Sequence, residues 1–238
     1  MHSTENKRRG ADRGRSSGQD DHLRSAQPFS GAQFLTTAAA WNQLPAEGAP
    51  EVAFAGRSNA GKSSAINALA HHTRLAFVSK TPGRTQHINF FRLRSGGLLA
   101  DLPGYGYAAV AESTRRHWQK FLAQYLSARP SLVGLVLVMD IRHPLTALDR
   151  QMLDWFLPSG RPTRILLTKA DKCPNRERVS ALAHVRESLS VEYELYAGQL
   201  SAQIFSATRR LGIAEAGATI IGWLDPSIHK ERPRHQGE

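Results

Sequence analysis

One short segment has the residue types and spacing that bind phosphate. From Gly56 to Ser63 the chain reads Gly-Arg-Ser-Asn-Ala-Gly-Lys-Ser, with two glycines separated by four residues and followed by lysine and a hydroxyl side chain. Glycines let backbone N–H groups surround a phosphate, Lys62 adds a mobile cation, and Ser63 offers a hydroxyl to Mg²⁺. The strand-like run 51–55 precedes the segment and the helix-like run 64–69 follows it. An ordinary glycine-rich turn needs no such context, so the sequence predicts a phosphate-binding loop.

A second motif indicates a metal ion beside this loop. Asp101-Leu102-Pro103-Gly104 follows the apolar stretch 97–100. Asp101 therefore comes at the carboxyl end of a predicted strand, which is where ligands bind in open α/β sheets. We expect it to be a second Mg²⁺-directed group.

Two later motifs indicate which base is bound. Thr168-Lys169-Ala170-Asp171 follows the apolar run 164–167, and Ser206-Ala207-Thr208 follows the strand-like run 202–205. Asp171 could accept hydrogen bonds from the N1–H and 2-amino groups of guanine, which adenine lacks. A backbone N–H of the second motif could reach the guanine O6. An isolated aspartate like Asp171 is more often a helix cap, but four such motifs in this order predict GTP.

The sequence resembles the EngB family of bacterial GTPases, also called YihA or YsxC, within the TrmE-Era-EngA-EngB-Septin-like superfamily. The resemblance covers roughly residues 28–224. It is carried by the phosphate loop through Ser64, by Lys80-Thr81-Pro82-Gly83-Arg84-Thr85-Gln86 with Ile88-Asn89-Phe90-Phe91, by Asp101-Leu102-Pro103-Gly104-Tyr105-Gly106-Tyr107-Ala108, by Asp140-Ile141-Arg142-His143-Pro144, and by Thr168-Lys169-Ala170-Asp171.

The resemblance implies a set of residues around GTP or GDP. The expected nucleotide contacts are Gly56, Arg57, Ser58, Asn59, Ala60, Gly61, Lys62, Ser63, Ser64, Thr81, Pro82, Gly83, Arg84, Thr85, Asp101, Leu102, Pro103, Gly104, Thr168, Lys169, Ala170, Asp171, Phe205, Ser206 and Ala207. Mg²⁺ is expected at Ser63, at Thr85 and, through water, at Asp101. Lys62 and the Gly104 N–H are expected at the β and γ phosphates.

One position predicts slow hydrolysis. Tyr105 follows the Asp101-x-x-Gly104 motif, where Ras-like GTPases keep the glutamine that orients the attacking water. Some other group must complete the site. The resemblance suggests that Asn59 holds a K⁺ ion, although asparagine is also a common turn residue.

The alternation of apolar runs predicts the elements that position these motifs. We expect strands at 51–55, 87–93, 97–101, 132–139, 163–168 and 202–205, and helices at 62–71, 113–127, 146–157, 175–188 and 209–223. This is an α/β P-loop NTPase fold of three layers, with a mostly parallel six-stranded sheet and helices on both faces. The two strands joined by Ser95 and Gly96 should form an antiparallel hairpin, and 190–198 is predicted to be a loop.

Composition limits the class of protein. Residues 28–224 are predicted to form one G domain, flanked by disordered tails at 1–27 and 225–238. The composition of residues 1–27 does not resemble that of a signal peptide. The longest apolar run, 132–139, is far shorter than the ~20 residues that span a bilayer. With the single cysteine Cys173, an internal disulfide is excluded. We expect a cytoplasmic monomer without membrane attachment.

The charge of the chain indicates a polyanionic partner. Of the net charge of +11, the part between residues 31 and 224 holds 22 basic against 13 acidic side chains. A domain-wide excess of this kind favours RNA. Candidate contact clusters are Arg115 and Arg116 with Lys120, Arg92 with Arg94, and Arg209 with Arg210.

Charge and resemblance together predict contact with the large ribosomal subunit, through its rRNA and ribosomal proteins. The resemblance further implies a switch in assembly of that subunit and a need for the protein in cell division and septation. Two alternatives stay open, namely a GTPase acting directly at the division site or membrane, and a nucleotide-dependent kinase with the same phosphate loop. A kinase would need an insertion for a substrate pocket and lid, and none is visible.

Overall fold

The longest apolar run of the sequence becomes the central strand of a sheet. Strand β5, Leu132–Asp140, is buried in all but its last residue, as expected for a parallel strand covered on both faces. The computed structural model describes residues 29–72, 74–76, 87–106 and 112–225, and these residues form a seven-stranded sheet in the order β1-β3-β4-β2-β5-β6-β7. The other strands are β1 Gln33–Ala38, β2 Glu51–Gly56, β3 Ile88–Arg92, β4 Leu98–Asp101, β6 Thr163–Thr168 and β7 Leu200–Ile204.

Helices cover both faces of this sheet. They are α1 Lys62–Leu69, α2 Glu112–Ala128, α3 Ala147–Phe156, α4 Asn175–Glu192 and α5 Ile213–Leu224. On one face α1 and α5 bury side chains such as Ile66 and Ile220. On the other face α2, α3 and α4 bury Tyr125, Phe156 and Val185. The predicted three-layer α/β fold is therefore confirmed.

The structure adds one strand to the six that were predicted. Strand β1 pairs antiparallel with β3, and the register shifts between Phe34 and Thr36. An edge strand needs hydrogen bonds on one side only, and here even Phe34 is 57% exposed. Because apolar and polar residues do not alternate in Gln-Phe-Leu-Thr-Thr-Ala, the sequence carries little strand signal. The predicted antiparallel hairpin is present as β3 and β4.

Some element ends differ from prediction. Helix α4 continues to Glu192, and Glu194–Gln199 forms a short 3-10 helix where a loop was expected. Helix α5 begins at Ile213 rather than at residue 209. Residues 207–210 form a turn instead, and Gly212 takes a left-handed φ of 75° immediately before the helix.

The parallel strands bring the predicted motifs to one edge of the sheet. The phosphate loop follows β2, Asp101 ends β4, Thr168 ends β6, and the Ser206 motif follows β7. Since β2, β4, β5, β6 and β7 are mutually parallel, their carboxyl ends share that edge. Within the residues described, no helix is both long and apolar enough to span a membrane.

Candidate functional site

The phosphate loop turns the chain from β2 into α1. The Ala60 N–H donates to the Arg57 carbonyl at 3.0 Å, which closes a tight turn. Asn59 and Gly61 both take left-handed conformations, with φ of 63° and 97°. Gly61 tolerates this geometry without a Cβ penalty, so α1 starts directly at Lys62. Its first N–H groups then face the loop, as an anion site requires.

Lys62 and Asp101 meet at the centre of this edge. The Lys62 ammonium donates to the Asp101 carboxylate, and the two side chains are only 10% and 8% exposed. Ser63 lies next to Lys62 in the first turn of α1. The structure therefore brings together the predicted phosphate cation and two of the three predicted Mg²⁺ residues.

The donor set at this point fits Mg²⁺ held partly by a substrate. No three His, Cys, Asp or Glu side chains cluster as metal ligands anywhere in the part of the chain described. Mg²⁺ in nucleotide sites uses one or two protein oxygens together with phosphate oxygens and water. Asp101 and Ser63 supply that limited set.

The segment after Asp101 is joined to the phosphate loop by its backbone. The Ser58 N–H donates to the Tyr105 carbonyl at 2.9 Å. A Cβ on Gly104 would lie 3.2 Å from both N and Cα of Ser58, tighter than ordinary contact. Glycine at 104 therefore allows the two segments to approach. Leu102 and Pro103 are buried, whereas Gly104 is exposed.

The Tyr105 hydroxyl is occupied by a helix carboxylate. It donates to Asp149 Oδ1 at 2.6 Å, while Asp149 Oδ2 accepts from the Thr146 N–H at 2.8 Å and caps α3. Burial raises the pKa of Tyr105 well above its usual range, and the Asp149 charge raises it further. The phenol stays neutral and is directed at α3, so it is not a general base.

On the side of the site where guanine binding is predicted, Asp171 and Ser206 contact one another. The Ser206 hydroxyl donates to Asp171 Oδ1 at 2.6 Å. The Ala170 N–H donates to the Phe205 carbonyl at 3.3 Å, which fixes the two motifs side by side. The Ser206 hydrogen bond holds the pKa of Asp171 below its ordinary value, so this carboxylate is an acceptor at neutral pH.

The other two residues of this motif reach back to the phosphate loop. Lys169 Nζ donates to the Asn59 carbonyl at 2.6 Å, and the Thr168 hydroxyl donates to the Ala60 carbonyl. The hydroxyl of Thr168 therefore joins the end of β6 to the phosphate loop. These contacts link the base side of the site to its phosphate side.

Asp140 belongs to a motif that carries the family resemblance, but it is not among the predicted nucleotide or metal contacts. Its Oδ2 lies 3.0 Å from Lys169 Nζ, and Arg142 holds the same carboxylate through Nε at 2.9 Å. Burial opposes the charge, but the hydrogen bonds from Arg142 and Lys169 prevail and keep the pKa of Asp140 well below its usual range. Its position at the end of β5, the strand between the two motif strands, was the available signal.

Five predicted nucleotide contacts lie outside the described residues. They are Thr81, Pro82, Gly83, Arg84 and Thr85. The remaining predicted positions lie along the carboxyl edge described above.

The chain is similar in sequence to known GTP-binding proteins. The family model of the 50S ribosome-binding GTPases matches residues 51–169. A probable GTP-binding protein EngB from Azoarcus sp. is 56% identical over 199 residues, covering 84% of this chain and 94% of that protein. The one from Aromatoleum aromaticum is 56% identical over 196 residues, covering 82% and 89%.

Solved structures show the same fold at lower identity. The crystal structure of a probable GTP-binding protein EngB has a TM-score of 0.58 at 20% identity, covering 73% of this chain and 98% of that one. Era from Aquifex aeolicus bound to GDP and AlF4⁻ has a TM-score of 0.57 at 19% identity, covering 74% and 56%. The family follows from the two relatives described above, each of which is 56% identical to this chain and is covered over 94% or 89% of its own length. The chain belongs to the EngB family of GTP-binding proteins and is a GTPase.

Proposed function

We propose that this GTPase is a molecular switch in assembly of the large ribosomal subunit, and that normal cell division and septation depend on it. The observation that carries the proposal is the match to the 50S ribosome-binding GTPases over residues 51–169. The positive charge between the tails supports it, because ribosomal RNA is a polyanion.

Guanine recognition is assigned to Asp171. Ser206 occupies only one oxygen of this carboxylate, at 2.6 Å, and leaves acceptor capacity for the N1–H and 2-amino groups. ATP would leave these acceptors unsatisfied, and a site of this kind discriminates by roughly 10⁴-fold or more.

Phosphate binding is assigned to the loop N–H groups and Lys62. Ser63, Thr85 and Asp101 would hold Mg²⁺, which neutralises phosphate charge when bound. A phosphate that binds Lys62 competes with Asp101 for its ammonium. Thr85 and the Gly104 N–H would respond to the γ phosphate and thereby distinguish GTP from GDP.

Slow intrinsic hydrolysis is expected from the position of Tyr105. Its hydroxyl is bound to Asp149 at 2.6 Å and does not orient a water. The side chain of Asn59 is exposed at the rim of the phosphate loop. We therefore assign Asn59 as the K⁺ ligand that would complete the site.

The test is sedimentation of the protein with purified large ribosomal subunits, with GTP, GDP or no nucleotide, over a range of salt. We expect association that depends on GTP and weakens steeply with salt through counterion release. A chain lacking residues 1–25 should retain most of it. Association that is flat in salt and equal in GDP and GTP would contradict the proposal, and sedimentation with membranes instead would favour direct action at the division site.

A further inference from the structure

Two chain segments without any acidic residue meet beside the candidate guanine site. The sequence has no Asp or Glu between Glu51 and Asp101, and none between Glu194 and Glu215. The end of α1 belongs to the first segment and the β7–α5 loop to the second. Arg210 Nη2 lies 3.1 Å from His71 Nδ1 and so joins the two. We define the basic patch as five exposed residues, His71, His72, Arg74, Arg209 and Arg210.

The α1 side of the basic patch is held in place from beneath. The Asn67 side chain forms two hydrogen bonds with the backbone of Ala76, at 2.8 and 2.9 Å. Leu75 and Ala76 are buried at 7% and 2% exposure. Arg74 is therefore presented to solvent from a fixed backbone.

The β7–α5 loop, which carries Arg209 and Arg210, is also held by hydrogen bonds. Ser206 and Leu211 exchange two backbone hydrogen bonds of 3.0 and 2.9 Å across the turn. The Arg209 N–H donates to the Ser206 hydroxyl at 3.1 Å, and that hydroxyl donates to Asp171. The turn that contacts the guanine-reading carboxylate is thus the turn that presents Arg209 and Arg210.

The arginines of the basic patch form no salt bridge with a carboxylate among the residues described. Arg209 acts on Asp171 only at longer range, where its charge helps to lower the pKa of that carboxyl. On the neighbouring elements, Asp171 receives the Ser206 hydroxyl and Glu215 is paired with Arg164. The basic patch contains no Phe, Tyr or Trp side chain. Its two imidazoles are engaged within the patch through a ring nitrogen, His71 with Arg210 at 3.1 Å and His72 with the Arg74 N–H at 3.2 Å. This chemistry favours contact with phosphates over stacking on exposed bases.

We propose that the basic patch binds the phosphate backbone of folded RNA. This inference deepens the proposed function and rests on it, since it selects one of the three basic clusters as the RNA contact. Because the loop is tied to the base side of the site and not to the γ phosphate, the patch contributes equally with GDP and with GTP. The nucleotide-dependent part of ribosome binding then arises elsewhere, in the segment around Thr85.

The test compares two double variants with matched charge loss. Arg74→Ala with Arg210→Ala removes charge from the basic patch, and Arg116→Ala with Lys120→Ala removes it from α2 on the opposite face. Affinity for a short RNA duplex is measured against salt with GDP and with GTP bound. Loss of two phosphate contacts makes the slope of log Kobs against log salt concentration less negative by about 1.8, so between about 50 and 200 mM salt the wild type loses roughly tenfold more affinity than the patch variant.

The α2 variant is expected to keep the wild-type slope, and both variants to keep the wild-type affinity for GDP. An unchanged slope in the patch variant, or a larger loss in the α2 variant, overturns the proposal. Binding to vesicles of anionic phosphatidylglycerol but not to the RNA duplex overturns it in favour of a membrane. Patch-dependent duplex binding without association to large ribosomal subunits supports the patch and contradicts the proposed function.

Discussion

Replacing Asp171 by asparagine tests the guanine assignment with little change in shape. In the wild type the Ser206 Oγ lies 2.6 Å from Asp171 Oδ1. The amide oxygen of asparagine can still accept a hydrogen bond from this hydroxyl. The amide nitrogen then replaces Oδ2 and faces the 2-amino group of guanine, donor against donor. One charge-assisted hydrogen bond is lost and a buried donor is left unpaired, for a cost of about 2–4 kcal/mol. GDP affinity should fall by roughly 30- to 1,000-fold.

The same substitution should create affinity for xanthine nucleotides, whose 2-oxo group accepts from the new amide. Fluorescent GDP and XDP analogues measure both affinities on one sample. Asp154→Asn is the matched control, because Asp154 is an exposed aspartate of α3 that contacts Tyr193 at 3.2 Å. Unchanged GDP affinity in the Asp171 variant, or equal affinity of the wild type for ATP and GTP, would refute the assignment.

Three further predictions concern the phosphate side of the site. Lys62→Ala should weaken GDP and GTP alike in equilibrium binding, whereas Thr85→Ala should spare GDP and abolish the response to the γ phosphate; equal losses for both nucleotides in the Thr85 variant would show that it is not a switch residue. Tyr105→Phe removes the hydrogen bond to Asp149 and should lower the free energy of unfolding by about 1–3 kcal/mol while leaving the hydrolysis rate unchanged. Because the folded state raises the pKa of Tyr105, its contribution to stability is present below the unfolded value of 10.0 and is lost at higher pH, so thermal unfolding of the two proteins should converge in alkali. Exchange of K⁺ for Na⁺ should slow GTP hydrolysis in the wild type, and Asn59→Ala should be slow in both salts; a rate insensitive to the cation would remove K⁺ from the site.

The parts of the site that could be predicted are those in which neighbours along the chain do the chemistry. The phosphate loop needs glycines and lysine at fixed spacing, and the structure starts α1 at Lys62 as the motif requires. Asp101 and Asp171 could be placed because each belongs to a motif that directly follows an apolar run. Parallel strands then bring such positions to one edge without further information.

The contacts that could not be predicted join residues far apart in sequence. Tyr105 and Asp149 are 44 residues apart, and Lys169 reaches Asn59 across 110. No local pattern distinguishes Asp149 from an ordinary helix cap, and it is one, since it accepts from the Thr146 N–H. Its second use depends on how α3 packs, which only the tertiary structure supplies. Strand β1 escaped prediction because an edge strand needs little apolar patterning.

The added strand changes the mechanical position of β3. With β1 on one side and β4 on the other, β3 is an internal strand held by ladders along both edges. The segment from Lys80 to Gln86 ends two residues before this strand. The rearrangement proposed for it would therefore meet a strand that is paired with β1 from Ile88 and with β4 from Asn89. The motion proposed for nucleotide exchange would then not be absorbed by separation of β3 from the sheet. The exposed edge of the sheet is therefore β1. There the register shift beside Phe34 interrupts the regular hydrogen-bond ladder, which a strand of another molecule would need in order to pair with β1.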